Sequence, residues 1–408
     1  MERREFSNRW IFSLLLGLLL LGAYACNNDE TEEPAKDKRG DLISSEFISG
    51  YTAAQIQGFL SASGIELNVD VKYDVDVYRL VYFTAGEDDG ILFEASGAVM
   101  VPKAESELPV ISFQHGTQTK RDMVASRDPM SVSEGFAGIV AASAGFVTFV
   151  PDYLGLGVSS VLHPYLHHDL SAGPVLDILR AGKTFCDNDD ITLNGDLYIG
   201  GYSEGGYVTL AAQEEIEKQS SFVFSLVASA PQAGPYDLHG TVDYFIDIDE
   251  YPEPAFMAYL LTAYDYVYDW GRVNDIFRQP YSSMMYDLFD GTNTIGQISS
   301  MLPSKISTLL KDEFIAGFKN GTELDFLNAI DENTSLNWKP KAAVRFYHSN
   351  SDELVPYQNS LTAVEKFRNN GAKDIELVTI EGLDHGDAGL VAVTGMLEWF
   401  DSLRVARR

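Results

Sequence analysis

Cysteine is nearly absent: Cys26 and Cys186 are the two in 408 residues. If Cys26 is modified or removed, no internal disulfide can form. Cys186 has no metal-type partner beside it and reads as a small buried hydrophobe. Basic residues are also scarce, 29 Lys and Arg against 60 Asp and Glu, for a net charge of −31. Such a field repels a phosphate backbone and argues against nucleic acid as a partner. Its plainest reading is solubility. The apolar run at 11–21 is too short to cross a bilayer comfortably. There is no internal repeat and no low-complexity tract beyond a short polar linker. Apolar residues are plentiful, 45% hydrophobic with 12% aromatic, enough for a sizeable core in one large or two ordinary domains.

The N-terminus reads as a targeting segment. Arg3, Arg4 and Arg9 precede the apolar run. Ala23-Tyr24-Ala25 fits an ordinary cleavage site, which would give a soluble exported protein. The same stretch resembles a bacterial lipobox, with Cys26 lipidated and first in the mature chain. The polar tail Cys26-Asn27-Asn28-Asp29-Glu30 favours the lipoprotein and resembles the acidic tethers of surface-exported lipoproteins. A cysteine carrying more than one acyl chain anchors stably. The expectation is a signal peptide at 1–25, a tether at 26–43, and an exported protein lipid-anchored in the outer membrane.

Residues 44–63 carry apolar side chains at Phe47, Ile48, Tyr51, Ile56, Phe59 and Leu60, a spacing that suggests a short helix pair. Alternation over 75–83, an acidic turn at 86–90 and the run 91–101 predict a hairpin. Strand-like runs follow at 108–113, 146–150, 222–228, 343–348 and 375–380. Helical patterns fall at 136–144, 176–185, 360–370 and 390–403. From 235 to 340 the pattern changes to Tyr, Phe, Asp and Met with helical spacing and no clear buried-strand run. The alternation predicts an α/β protein: a mostly parallel sheet with helices on both faces. Its core spans 44–234 and 341–408, and a helical cap is inserted at 235–340.

Around residue 200 an apolar run enters Gly201-Tyr202-Ser203-Glu204-Gly205-Gly206 and then a helix-like segment. Strand, tight turn and helix form the setting that a G-x-S-x-G nucleophile elbow requires. A serine on so sharp a turn sits in strained backbone, and bulk at Gly201 or Gly205 would strike adjacent elements. Its hydroxyl would lie at a helix N-terminus, where N–H groups favour developing negative charge. Such a serine needs a base, an acid to orient the base, and two donors for an oxyanion. The loop after 343–348 offers Asp352, with Glu353 beside it. The loop after 375–380 offers His385, with Asp384 beside it. Ser203, Asp352, His385 is the chain order of α/β-hydrolases.

These residues resemble an α/β-hydrolase and, within that fold, the secretory lipase family. The resemblance is carried by Phe113-Gln114-His115-Gly116-Thr117, Pro151-Asp152-Tyr153-Leu154-Gly155-Leu156-Gly157, His163-Pro164-Tyr165-Leu166, the elbow, and the Asp352 and His385 loops. It covers about 70–400. It implies Ser203 as nucleophile, His385 as general base and then acid, and Asp352 as the orienting acid. The backbone N–H groups of Thr117 and Glu204 would form the oxyanion hole, with no metal or cofactor. Glu204 stands where fungal members commonly have Gln. Only its N–H is needed, but its carboxylate bears on substrate charge preference. His115 is expected to shape the oxyanion loop. His163, His167, His168 and Asp169 match no standard closed metal set, and the resemblance makes them pocket wall. The aromatics at 259–270 read as the core of the cap, with acyl-pocket lining as the alternative.

The expected function is an exported serine esterase or lipase that cleaves a small-molecule or lipid ester through an acyl-enzyme. Its rivals are an exported serine peptidase on the same fold and a non-catalytic surface binding lipoprotein. Nothing in the sequence fixes an oligomeric state.

Overall fold

The computed structural model describes residues 38–86 and 90–407. The expected signal peptide, the lipidation site Cys26 and most of the tether lie outside the described residues. Nine strands form one sheet in the order β1-β2-β3-β5-β4-β6-β7-β8-β9. β1 (Leu42–Tyr51), β2 (Val75–Ala85) and β3 (Leu92–Pro102) pair antiparallel, as does β3 with β5 (Val147–Pro151). All other pairings are parallel, through β4 (Leu108–Gln114), β6 (Leu193–Tyr202), β7 (Ser225–Gln232), β8 (Ala343–Ser349) and β9 (Ile375–Ile380). β4 and β5 are buried at every position, which is why they read as continuous apolar runs.

One sequence expectation fails at 44–51. Within 44–63 the one helix is α1 (Ala53–Ala62), started by a capping box between Thr52 and Gln55. The preceding residues form β1 along the open edge of β2, with Leu42 opposite Tyr82 and Tyr51 opposite Val75. Phe47 packs edge-on against Tyr78 across the pair, at 5.6 Å between centroids. An unpaired strand edge offers a full row of backbone hydrogen bonds, and that overrides a weak helical spacing. Residues 38–43, assigned to the tether by sequence, are also bonded to the body. The Gly40 N–H donates to Phe83 O at 2.7 Å, and Arg39 pairs with Asp177 at 3.1 Å.

Alternate residues of the central strands serve opposite faces. Leu197 and Ile199 of β6 join one core with α3 (His168–Asn188) and α4 (Glu204–Lys218). Tyr198 joins the other, with α2 (Ser133–Ser143) and the C-terminal helix His385–Ala406. Between β7 and β8 the chain is helical, beginning with α5 (Leu238–Ile248) and α6 (Pro254–Val267) and continuing in short helices. This insertion is pinned over loops that follow strand ends. The Tyr251 hydroxyl donates to Leu354 O at 3.1 Å, and the Tyr259 hydroxyl to Gln118 O at 3.3 Å.

Candidate active site

Ser203 follows β6 directly and caps α4 with φ 60° and ψ −123°. That backbone is unfavourable for a residue with a side chain and persists only where its surroundings hold it. A Cβ on Gly201 would lie 2.4 Å from Gln114 O, and one on Gly205 2.1 Å from the same atom. The strand β4 thus presses on the turn at backbone distance, and only glycine fits. On the other side the Ser203 N–H donates to Gln232 O of β7 at 2.9 Å.

A chain of hydrogen bonds leads away from the hydroxyl. Ser203 Oγ lies 3.0 Å from His385 Nε2, and His385 Nδ1 lies 2.6 Å from Asp352 Oδ2. All three residues are buried. A carboxylate only accepts, so Nδ1 carries the proton and Nε2 offers its lone pair to the hydroxyl. Asp352 Oδ1 accepts the N–H groups of Leu354 (3.0 Å) and Val355 (2.8 Å). Burial opposes ionisation of Asp352. Hydrogen bonds from His348 and His385, the His385 charge and the Val355 N–H outweigh it and hold the carboxyl well below the usual carboxylate range. The competing acids have other work. Asp384 caps the C-terminal helix by accepting the Asp387 N–H at 2.8 Å, and Glu353 accepts the His385 backbone N–H at 2.9 Å.

His348 was missed by the sequence reading. It is fully buried, with Nε2 3.3 Å from Asp352 Oδ2 and Nδ1 2.7 Å from Ser360 Oγ. Its place at the end of β8, four residues before Asp352, was the available signal.

The two residues expected to donate to an oxyanion lie next to Ser203 in the chain and in the loop after β4. Glu204 is the first residue of α4, and the first N–H groups of a helix have no partner within it. Thr117 follows Gly116 in the loop after β4. A Cβ on Gly116 would lie 3.7 Å from Ser203 Cβ, so this loop runs against the serine. The hydroxyls of Thr117 and Tyr165 are 3.0 Å apart. The Gly116 N–H donates to Glu134 Oε1 at 3.1 Å. The His115 ring faces two backbone carbonyls, Gly116 O at 2.7 Å and Asp152 O at 3.1 Å, and stacks on Tyr153. It is built into the loop rather than turned toward Ser203.

The Glu204 side chain is engaged as well. Its Oε1 lies 2.7 Å from His163 Nε2, and His163 Nδ1 lies 2.7 Å from Leu154 O, all of it buried. One carboxylate oxygen is thus held by a histidine, while Oε2 is buried without a hydrogen-bond partner. His168 pairs with Asp169 at 2.7 Å and Glu214 at 3.2 Å. His168, Asp169 and Glu215 present ligand atoms within 4.8 Å of one another, but both His168 nitrogens are already engaged.

The fold that carries these residues is shared with known ester hydrolases. The chain aligns with the rice cell wall degrading esterase LipA of Xanthomonas oryzae at a TM-score of 0.80 and 27% identity, over 91% of this chain and 100% of that one. The chain has the α/β-hydrolase fold and is similar to esterases and lipases that share it. Candida antarctica lipase A shares the fold at a TM-score of 0.67, with 16% identity over 88% of this chain and 83% of that one. The secreted triacylglycerol lipase LIP4 of Malassezia furfur is 23% identical over 346 residues, 78% of this chain and 60% of that protein. The match therefore spans less than two thirds of the lipase's length. No protein-family profile matches the chain.

Two cavities reach the site of this α/β-hydrolase. A small one of about 30 Å³ touches Ser203 and Glu204 and is walled by Tyr165, Phe245, Tyr251 and Leu260. Of the 259–270 stretch only Leu260 lines it. Tyr259 and Tyr264 are buried, with Tyr259 stacked between Tyr165 and Phe289. A larger cleft of about 420 Å³ reaches His385 and Tyr202 from between α1, α2 and the C-terminal helix.

Proposed function

We propose that this chain hydrolyses carboxylic esters through an acyl-enzyme on Ser203. Ser203 Oγ attacks the ester carbonyl carbon as its proton passes to His385 Nε2. Asp352 holds the imidazole in the right tautomer and stabilises its charged form. The carbonyl oxygen, now negative, is met by the N–H groups of Glu204 and Thr117, and losing one such donor typically costs about 3–4 kcal/mol of barrier. The bond from carbon to the alcohol oxygen then breaks, and that oxygen takes the Nε2 proton. Water attacks the acyl-enzyme, gives a proton to Nε2, and the acid leaves as Ser203 regains its proton.

The observation that carries this reading is the continuous Asp352–His385–Ser203 hydrogen-bond chain, ending on a strained turn at a helix N-terminus. The likeness to an esterase and to lipases supports an ester rather than an amide. The helical insertion acts in this reading as a cap that sets substrate size. The N-terminal pattern supports an exported protein anchored through Cys26.

The test compares p-nitrophenyl esters with peptide anilides, using the wild type and Ser203→Ala. Ester turnover that vanishes in the variant is expected. Turnover of the anilides alone would replace this reading with a peptidase, and turnover of neither would leave a binding protein.

A further inference from the structure

The direction in which the alcohol leaves links the two cavities to the two halves of the ester. The alcohol oxygen must collect its proton from His385 Nε2, so it departs on the imidazole side. The acyl carbon stays bonded to Ser203 Oγ, beside the Glu204 N–H. The cavities are arranged in the same sense. The small one borders Ser203 and Glu204, and the large one borders His385.

The acyl-side cavity is tight and firmly walled. Its volume of about 30 Å³ is roughly two to three times the least that admits a water, room for an acyl chain of about two or three carbons. Tyr251 stacks on Phe245 at 4.0 Å, and its hydroxyl is tied to the loop after β8 at Leu354. Widening the cavity would break those contacts.

The cleft on the other side is of small-molecule size. Its lining is mostly apolar, including Phe113, Phe136, Val140, Val393 and Leu397, and Leu390 at its edge is 52% exposed. The carboxylate that lines it, Glu134, already accepts from the Gly116 N–H at 3.1 Å and the Ser133 hydroxyl at 2.8 Å. A second negative charge there would be repelled, the more so in a chain of net charge −31.

We propose that the cleft between α1, α2 and the C-terminal helix seats the alcohol half of the substrate. The substrate class is then short-acyl esters of bulky, uncharged, apolar alcohols. This rests on the ester-hydrolase reading and orders substrates within it.

The experiment measures kcat/KM over two series of unactivated esters. One holds the acyl group at acetyl and varies the alcohol from ethanol to hexanol to 2-(2-naphthyl)ethanol. The other holds ethanol and lengthens the acid from acetic to octanoic. A rise of at least about tenfold along the first series and a fall of at least about tenfold along the second are expected. Val393→Trp, which fills the cleft, is expected to cut the naphthylethyl-to-ethyl acetate ratio at least about tenfold. Ethyl octanoate as the best substrate, or no discrimination in the acetate series, overturns the proposal whether or not the variant folds. A folded variant that slows all acetates equally also overturns it. If no ester is hydrolysed and a fluorophosphonate leaves Ser203 unlabelled, both this proposal and the ester reading fail. If Ser203 is labelled and esters are cleaved in the reverse order, only this proposal fails.

Discussion

His385 is positioned from several directions at once. Asp352 holds Nδ1, Glu353 holds the backbone N–H, and the Tyr202 hydroxyl donates to its carbonyl at 2.5 Å. Removing one negative charge should therefore leave the ring in place but in the wrong tautomer. Asp352→Asn is expected to lower kcat/KM for esters by about 10⁴-fold when assayed on folded protein, with a lower melting temperature because the ionised carboxylate contributes to stability. A loss of tenfold or less would mean that Asp352 does not orient the base. At this scale Ser203, Asp352 and His385 were legible because an elbow motif and a chain order announce them. The His163–Glu204 pair and the hold of His348 on Asp352 were not. Each depends on a side-chain direction that the sequence does not carry, and His163 and Glu204 meet across 41 residues.

Helices α3 and α4 are tied by a partly buried ionic cluster. Burial alone would lower the His168 pKa, but hydrogen bonds to Asp169 and Glu214 raise it to about 9. Burial would raise Glu214, but its bonds to His168, Ser335 and Lys218 bring it down to about 2. A histidine with a raised pKa stabilises the fold fully below its ordinary pKa and loses that contribution as pH rises through about 9. Glu214 contributes above its ordinary value and loses it as pH falls through about 2. His168→Gln is expected to cost about 1–3 kcal/mol at pH 7. Its gap from the wild type, read by denaturant unfolding, should narrow at pH 10. A gap that stays constant would show that the charge on His168 contributes nothing.

The elbow can be tested at the same scale. Gly205→Ala forces a Cβ to 2.1 Å from Gln114 O and is expected to cost at least about 1–3 kcal/mol, read as a lower melting temperature. An unshifted melting temperature would contradict the close approach of β4. The elements most legible in sequence were the buried parallel strands, whose apolar runs have no alternative use. The edge strand β1 was illegible because its side chains are mostly exposed and its backbone pairing leaves no mark on composition.

Across the whole molecule, the acidic excess acts on whatever approaches the site. Neutral esters should be indifferent to it, and anionic ones repelled. Raising ionic strength from about 0.01 M to about 0.5 M, which shortens the screening length from about 30 Å to a few ångströms, is expected to raise kcat/KM for an anionic acetate ester. The value for its neutral counterpart should stay within about twofold. A matching rise for both would point to a salt effect on the protein itself. The parallel sheet and the helical stretch between β7 and β8 were legible as a change in pattern near 235. How the stretch packs was not, because its aromatic contacts join distant segments, as Tyr259 does with Tyr165 and Phe289. Among the described residues no helix is long and apolar enough to cross a membrane.

The most direct measurement is fluorophosphonate labelling of the folded protein, followed by mass mapping of its peptides. One adduct per chain is expected, on the peptide that contains Ser203, with labelling strongly slowed in His385→Ala. An adduct on another residue, or ester hydrolysis that persists in Ser203→Ala, would contradict the central claim that Ser203 is the nucleophile.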